Sequence, residues 1–309
     1  MRIRGVGVRR ARERAPWPAL SYYTVGMTFS LMPARLFARP SFRTLSTVFS
    51  YVFVMVLVAG ALWRMTVWSP GAVLTGGAAL MPWQMLILVI AGMLMVALVM
   101  RKIRVRAAWD FLVGITLFLG VWYYCWMVFG GEPGLVVASL ATLVQAWVRR
   151  VWVHILFMLT GVAGMSLYVA FLFSLQTLIM LLVIPIFYDI FARRDEGASQ
   201  HSVASLVHRG VIPGIVVPEN LQGFQHDVLH EMRMPQAMLL GSVELVLPMV
   251  LTARAFGAHA LSGALVAAGT IVAAVWLTTR GSRPMHSPLL PLAIGSGVPF
   301  IVLSLFHLV

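Results

Sequence analysis

Apolar residues run through this chain in long stretches divided by short, mostly basic segments. Nine stretches are candidate spans: 45–63, 75–100, 107–129, 134–148, 151–172, 175–192, 236–253, 256–278 and 287–308. A helix needs about 20 mostly apolar residues to cross about 30 Å of hydrocarbon, so the pattern predicts an all-α polytopic membrane protein. The run 151–192 carries one charged side chain, Asp189. As one helix it would be about 63 Å long at 1.5 Å per residue, so it must be two spans with a tight turn near Phe173–Gln176. Span 134–148 is short and carries Gln145. Residues 19–38 are moderately apolar, follow Pro18 and are broken by Pro33, which predicts an interfacial segment.

Composition agrees with the pattern. The chain is 60% hydrophobic and 11% charged, with a mean hydropathy of +0.90. The net charge of +13 could suit nucleic acid, but the basic residues flank apolar spans, where they act as topology signals. With nine spans and the N-terminus in the cytoplasm, 21 of the 23 Lys and Arg residues fall in cytoplasmic segments, and only Arg64 and Arg254 do not. That asymmetry predicts N-in, C-out. The Arg-rich start meets no compact apolar core with a small-residue cleavage site, so no cleaved signal peptide is expected. The lone cysteine, Cys125, excludes an intrachain disulfide. The Arg-rich, Lys-poor composition suits a GC-rich prokaryote, and hence multi-pass insertion in the cell membrane.

Three parts follow: a basic N-terminal segment 1–44 with the interfacial stretch, helices 1–5 over 45–172, and helices 6–9 over 173–309. The last part contains the cytoplasmic loop 193–235. Within that loop the β-branched run 211–218 ends in proline, which allows an edge strand at best.

Chemistry enters with two acids on consecutive apolar spans, Asp189 and Glu244. An ionisable group in hydrocarbon costs several kcal/mol and marks a functional site by default. Pro185 precedes Asp189 by four residues and should kink its helix. Glu244 is expected about eight residues into span seven. Pro248 cannot donate to the Glu244 carbonyl, which leaves a backbone acceptor free beside the acid. Gly241 and Ser242 allow another helix to approach closely. The competing reading of Asp189 is an interfacial pair with Arg193; for Glu244 it is a structural hydrogen bond.

These features resemble the presenilin and signal peptide peptidase family of intramembrane aspartyl proteases. That family has nine spans, Tyr-Asp in the sixth, Gly-x-Gly-Asp in the seventh and Pro-Ala-Leu at the start of the ninth. Here Tyr188-Asp189 matches the first, Gly241-Ser242-Val243-Glu244 with Pro248 downstream occupies the second, and Pro288-Leu289-Leu290 occupies the third. The segment 213–221 is similar to the region before span seven in microbial members. The resemblance covers the chain from about residue 45 onward. It implies Asp189 and Glu244 as a catalytic dyad, with Tyr188, Gly241, Pro248, Pro288, Leu289 and Leu290 supporting the site. It implies transmembrane helices as substrates, and no metal or cofactor. Glu244 stands where the family has Asp, Val243 where it has Gly, and Leu289 where it has Ala. Two carboxyls close together in a desolvated site cannot both ionise easily and share a proton. One then activates water while the other polarises the scissile carbonyl.

Two other readings stand beside the protease: a catalytically silent relative that binds membrane helices, and a transporter or proton pathway using the same acids. The transporter predicts related halves, which the sequence does not display. His226 and His230 lie four apart beside Glu231, but the order is not His-Glu-x-x-His, and a solvated helix is the expectation. His154 and His307 are expected at interfaces, as are Trp63, Trp68, Trp109, Trp147 and Trp152.

Overall fold

The computed structural model describes residues 41–68, 84, 87, 106–192, 212, 214–218, 220–232, 238–279 and 289–309, with backbone alone at 68, 106–112, 185, 188–192 and 232. The interfacial stretch 19–38 lies outside these residues. So does the predicted span 75–100, apart from the helical Gln84 and Ile87.

The described residues hold nine α-helices and one small sheet. The helices are α1 (Phe42–Trp68), α2 (Arg106–Phe129), α3 (Gly131–Trp147), α4 (Val151–Leu172), α5 (Leu175–Ala192), the one-turn α6 (Val228–Met232), α7 (Ser242–Ala258), α8 (Ala260–Thr279) and α9 (Leu289–Leu305). Strands β1 (Gly214–Val217) and β2 (Met238–Gly241) form an antiparallel ribbon. Eight of the nine predicted spans therefore coincide with helices. Among the described residues, three segments, Phe42–Val67, Val151–Leu172 and Ala260–Thr279, are long and apolar enough to cross a membrane.

Local chemistry sets the breaks. Ser41 caps α1 by accepting the Thr44 N–H on its hydroxyl at 3.2 Å. Ser174 does the same for Thr177 at 3.4 Å, and this cap divides the long apolar run 151–192 where its length required a turn. Span seven differs from the expectation. Its residues 238–241 are strand, because they pair with 214–217, and the helix begins only at Ser242.

α1 is apolar outside and partly polar inside. Leu45, Phe49, Val52, Val56, Trp63 and Val67 form an exposed stripe, while Thr44, Thr47, Ser50 and Tyr51 are buried. Water would penalise such an outward stripe, and lipid accepts it. The exposed tryptophans Trp63, Trp147 and Trp152 lie near helix ends, where interfacial rings belong. The core is formed mainly by α1, α4, α7, α8 and α9 around Tyr51, Met158, Leu245, Met249, Leu292 and Phe300.

Between apolar helices in lipid, close backbone approach replaces the hydrophobic drive. α2 and α4 meet in this way. A Cβ on Gly164 would collide with the Gly120 carbonyl, and one on Gly120 with the Gly161 carbonyl. By contrast, a Cβ on Gly60 in α1 would meet nothing. Gly164→Leu should therefore destabilise the protein by about 1–3 kcal/mol through overpacking. Gly60→Ala should stabilise it by about 0.5–1 kcal/mol through helix entropy. Unfolding in detergent micelles measures both; equal effects at the two positions would contradict the packing assignment.

Candidate active site

The ribbon delivers the second acid. Gly214 pairs with Gly241, Ile215 with Leu240, Val216 with Leu239 and Val217 with Met238. β1 is buried along its whole length, while β2 is half-buried. A Cβ on Gly214 would strike the Leu240 carbonyl, so the closest point of the ribbon requires glycine. Gly241, still extended at φ −65° and ψ 147°, ends β2 and starts α7. Glu244 is consequently the third residue of α7 rather than about eight residues into a span. Its Oε2 accepts the Gly241 N–H at 3.0 Å. A glutamate at this position can reach back to the N-cap amide, and the extra methylene relative to aspartate helps it do so. Val243, the branched departure from the family pattern, is about half exposed and points away from the packed interior.

The carbonyl that Pro248 frees does not stay unsatisfied. Tyr51, fully buried on α1, donates its hydroxyl to the Glu244 carbonyl at 3.2 Å. The Ser166 hydroxyl on α4 donates to the Val246 carbonyl at 3.4 Å. Pro248 itself is buried within α7. Two helices thus hold the backbone beside the acid where the proline interrupts its own hydrogen bonding. Sequence reasoning did not single out Tyr51. The signal was present as small polar and tyrosyl side chains at 44, 47 and 51, on one face of α1.

Asp189 and Tyr188 fall on α5, and their side chains lie outside what the structure describes, as does the whole of Pro288. The helix α5 packs on both α7 and α9, so the helices carrying the two acids are neighbours. Leu289 is buried at the start of α9, and Leu290 beside it is half-buried.

A second polar chain anchors the ribbon from behind. His154 is buried on α4. Its Nε2 lies 3.0 Å from the Gly214 carbonyl and its Nδ1 lies 3.0 Å from Gln145 Nε2. Since Gln145 Nε2 can only donate and a carbonyl can only accept, the imidazole is neutral with its proton on Nε2. This explains the glutamine in span four: it sets the tautomer that ties β1 to α4. The segment after β1 docks on the α3–α4 turn through Val151 N–H to the His226 carbonyl, 3.1 Å, and Val228 N–H to the Arg149 carbonyl, 3.0 Å. His226 Nδ1 lies 2.8 Å from Glu231 Oε2, and Glu231 is buried. His226 and Glu231 thus hold each other. Among the described residues no group of three or more His, Cys, Asp or Glu side chains is arranged to hold a metal. His307 is exposed beyond α9.

The chain shares its fold with a presenilin family intramembrane aspartate protease, with a TM-score of 0.55 at 17% identity, over 85% of this chain and 99% of that one. No family model matches the chain, and no curated protein matches it in sequence. At this identity the likeness establishes the fold. Together with the three long apolar helices, it makes the chain a membrane protein with a presenilin-like fold.

The Tyr51–Pro248 relation is testable without any activity. Tyr51→Phe removes the Tyr51 hydrogen bond to the Glu244 carbonyl and should cost about 1–3 kcal/mol. Pro248→Ala restores an N–H four residues on. In that background Tyr51→Phe should cost less than half as much, read from unfolding midpoints as a double-mutant cycle. Additive effects would show that the two residues do not serve the same carbonyl.

Proposed function

We propose that this protein is an intramembrane aspartyl endopeptidase that cleaves transmembrane helices of membrane proteins or signal-peptide remnants. Asp189 and Glu244 form its dyad. The observation that carries this reading is the placement of Glu244: an extended ribbon ends at Gly241, and the acid follows at once in the first turn of α7. The helix bearing Asp189 packs beside it. The shared fold is consistent with the same chemistry.

A helical substrate hides its peptide bonds in i→i+4 hydrogen bonds and must become extended before attack. β1 is unsuited to receive it, since one edge pairs with β2 and His154 takes its Gly214 carbonyl on the other. The outer edge of β2 is the template for β-augmentation. Its last amide, Gly241 N–H, points to Glu244 Oε2, so a strand added there runs past the carboxylate. The ionised member of the dyad then takes a proton from water as the oxygen attacks the scissile carbonyl carbon. The protonated member gives its proton to the carbonyl oxygen. Collapse of the tetrahedral adduct breaks the C–N bond, the amine leaves with a proton, and the two acids again share one. The pair titrates as a unit, so neither residue owns a fixed role. Tyr188, Pro248, Pro288, Leu289 and Leu290 support the cleft. The protein sits in the cell membrane as a nine-span chain, N-terminus inside and C-terminus outside, with membrane helices and lipid as its partners.

One observation favours a second reading. The Glu244 carboxylate is engaged by the Gly241 amide in a helix-capping geometry, which would also serve a catalytically silent protein that binds helices. Cleavage of a single-span substrate by purified protein in lipid separates the two. Wild type should cut, and Asp189→Asn and Glu244→Gln should each lower the rate by about 100- to 10,000-fold. Binding without cleavage by wild type, with cutting restored only by Glu244→Asp, would establish the silent reading.

A further inference from the structure

The Gly241 amide has a single hydrogen, and at rest Glu244 Oε2 takes it at 3.0 Å. Across the ribbon, the carbonyl of its partner Gly214 faces His154 Nε2, also at 3.0 Å. Gly214 and Gly241 therefore form an open pair, in which N–H and C=O face away from the partner strand. Open and bonded pairs alternate along an antiparallel ladder, so Leu239, opposite Val216, is the next open position. The outer edge of β2 thus offers its backbone at Leu239 and at Gly241. At Gly241 the carboxyl group of Glu244 stands in the way. The nearest atoms that a Cβ on Gly241 would meet are Glu244 Cδ at 3.5 Å, Oε1 at 3.6 Å and Oε2 at 3.7 Å. Gly241 and Glu244 are both only half-buried, so an incoming backbone can reach them. A glutamate that caps its helix from the third position is ordinary. Here the capped residue also ends a strand whose outer edge can accept another strand, and the capping acid is a member of the proposed dyad.

We propose that the Gly241 amide is a latch on Glu244 that the backbone of the substrate opens. A strand added along β2 gives one of its carbonyls to the Gly241 N–H, and the displaced carboxylate turns to Asp189. The inference rests on the dyad reading. It makes extended backbone, rather than any side chain, the feature that releases the acid. A segment that stays helical has its carbonyls engaged within its own helix, offers none to Gly241, and meets a latched carboxylate. An N–H bond to a carboxylate is roughly twice as strong as one to a neutral carbonyl. One carbonyl therefore does not make up for the lost cap, and the further pairing at Leu239 supplies the remainder. A short ligand that reaches the acids without pairing along β2 must break the cap with nothing in return. The capping geometry that a silent protein could also show thereby acquires a part in catalysis.

Calorimetric binding of two hydroxyethylene isosteres to the full chain in lipid nanodiscs tests the latch. The short compound carries a single residue on each side of the isostere, and the long one carries enough to pair with β2. Gly241→Pro removes the N–H at a φ of −65°, which proline adopts, whereas Gly241→Ala keeps it. Wild type should bind the long compound at least about 100-fold tighter than the short one. Gly241→Pro should bind the short compound about tenfold tighter than wild type does, and Gly241→Ala should not. A second series needs no variant: the amides of the long compound are replaced one at a time by E-alkenes. The largest loss, about tenfold or more, should fall on the carbonyl opposite Gly241. A short compound bound no tighter by Gly241→Pro than by Gly241→Ala, or losses spread evenly along the alkene series, would overturn the latch and leave the dyad standing. Failure of wild type to prefer either compound over its deoxy analogue would overturn the dyad, and the latch with it.

Discussion

The antiparallel pairing of Gly214–Val217 with Met238–Gly241 is the constraint on which the rest of the candidate site depends. By holding 238–241 extended, it forbids the helix that the apolar pattern would otherwise begin there. Helix α7 starts at Ser242, and Glu244 falls in its first turn with its carboxylate on the Gly241 amide. The pairing in turn relies on Gly214, where no side chain fits, and on His154, which takes the Gly214 carbonyl. Four residue pairs between two short strands thus decide where an acid sits in a chain of 309 residues.

Backbone satisfaction explains the polar residues inside. In hydrocarbon each unmet N–H or C=O costs several kcal/mol, and a proline in a buried helix creates such a deficit. Tyr51 meets it from α1. The same logic places Gln145 and His154 behind the ribbon. These are not isolated polar intrusions into an apolar bundle. Tyr51 and His154 each answer a backbone carbonyl, with Gln145 holding His154, and the two sets meet at the same end of the ribbon, where Gly214 pairs with Gly241.

The helices were legible in the sequence because hydrophobic length is a local property: eight of the nine predicted stretches coincide with helices, and the break at Ser174 lies where a single helix would have been too long. The strand Gly214–Val217 falls within the β-branched run 211–218, which the sequence allowed as an edge strand at best. The start of α7 was not, because it is set by pairing with residues more than twenty positions away. That Pro248 gives the Glu244 carbonyl no helical N–H could be predicted, but the tyrosine that donates to it is 193 residues distant in sequence. The partners of His154, Gln145 and Gly214, were not legible because they lie on other elements. The relation of Asp189 to Glu244 rests on α5 packing against α7, a contact that no sequence spacing encodes.

The central claim is that Asp189 and Glu244 act together on one peptide bond. A peptide isostere whose scissile bond is replaced by a hydroxyethylene group places a hydroxyl where attacking water would sit between the two acids. Thermal unfolding of the purified protein in lipid, with this compound and with its deoxy analogue, tests the claim without knowledge of the natural substrate. The account predicts stabilisation by the hydroxyl compound alone, lost in both Asp189→Asn and Glu244→Gln. Equal stabilisation by the two compounds, or stabilisation that survives either substitution, would contradict it.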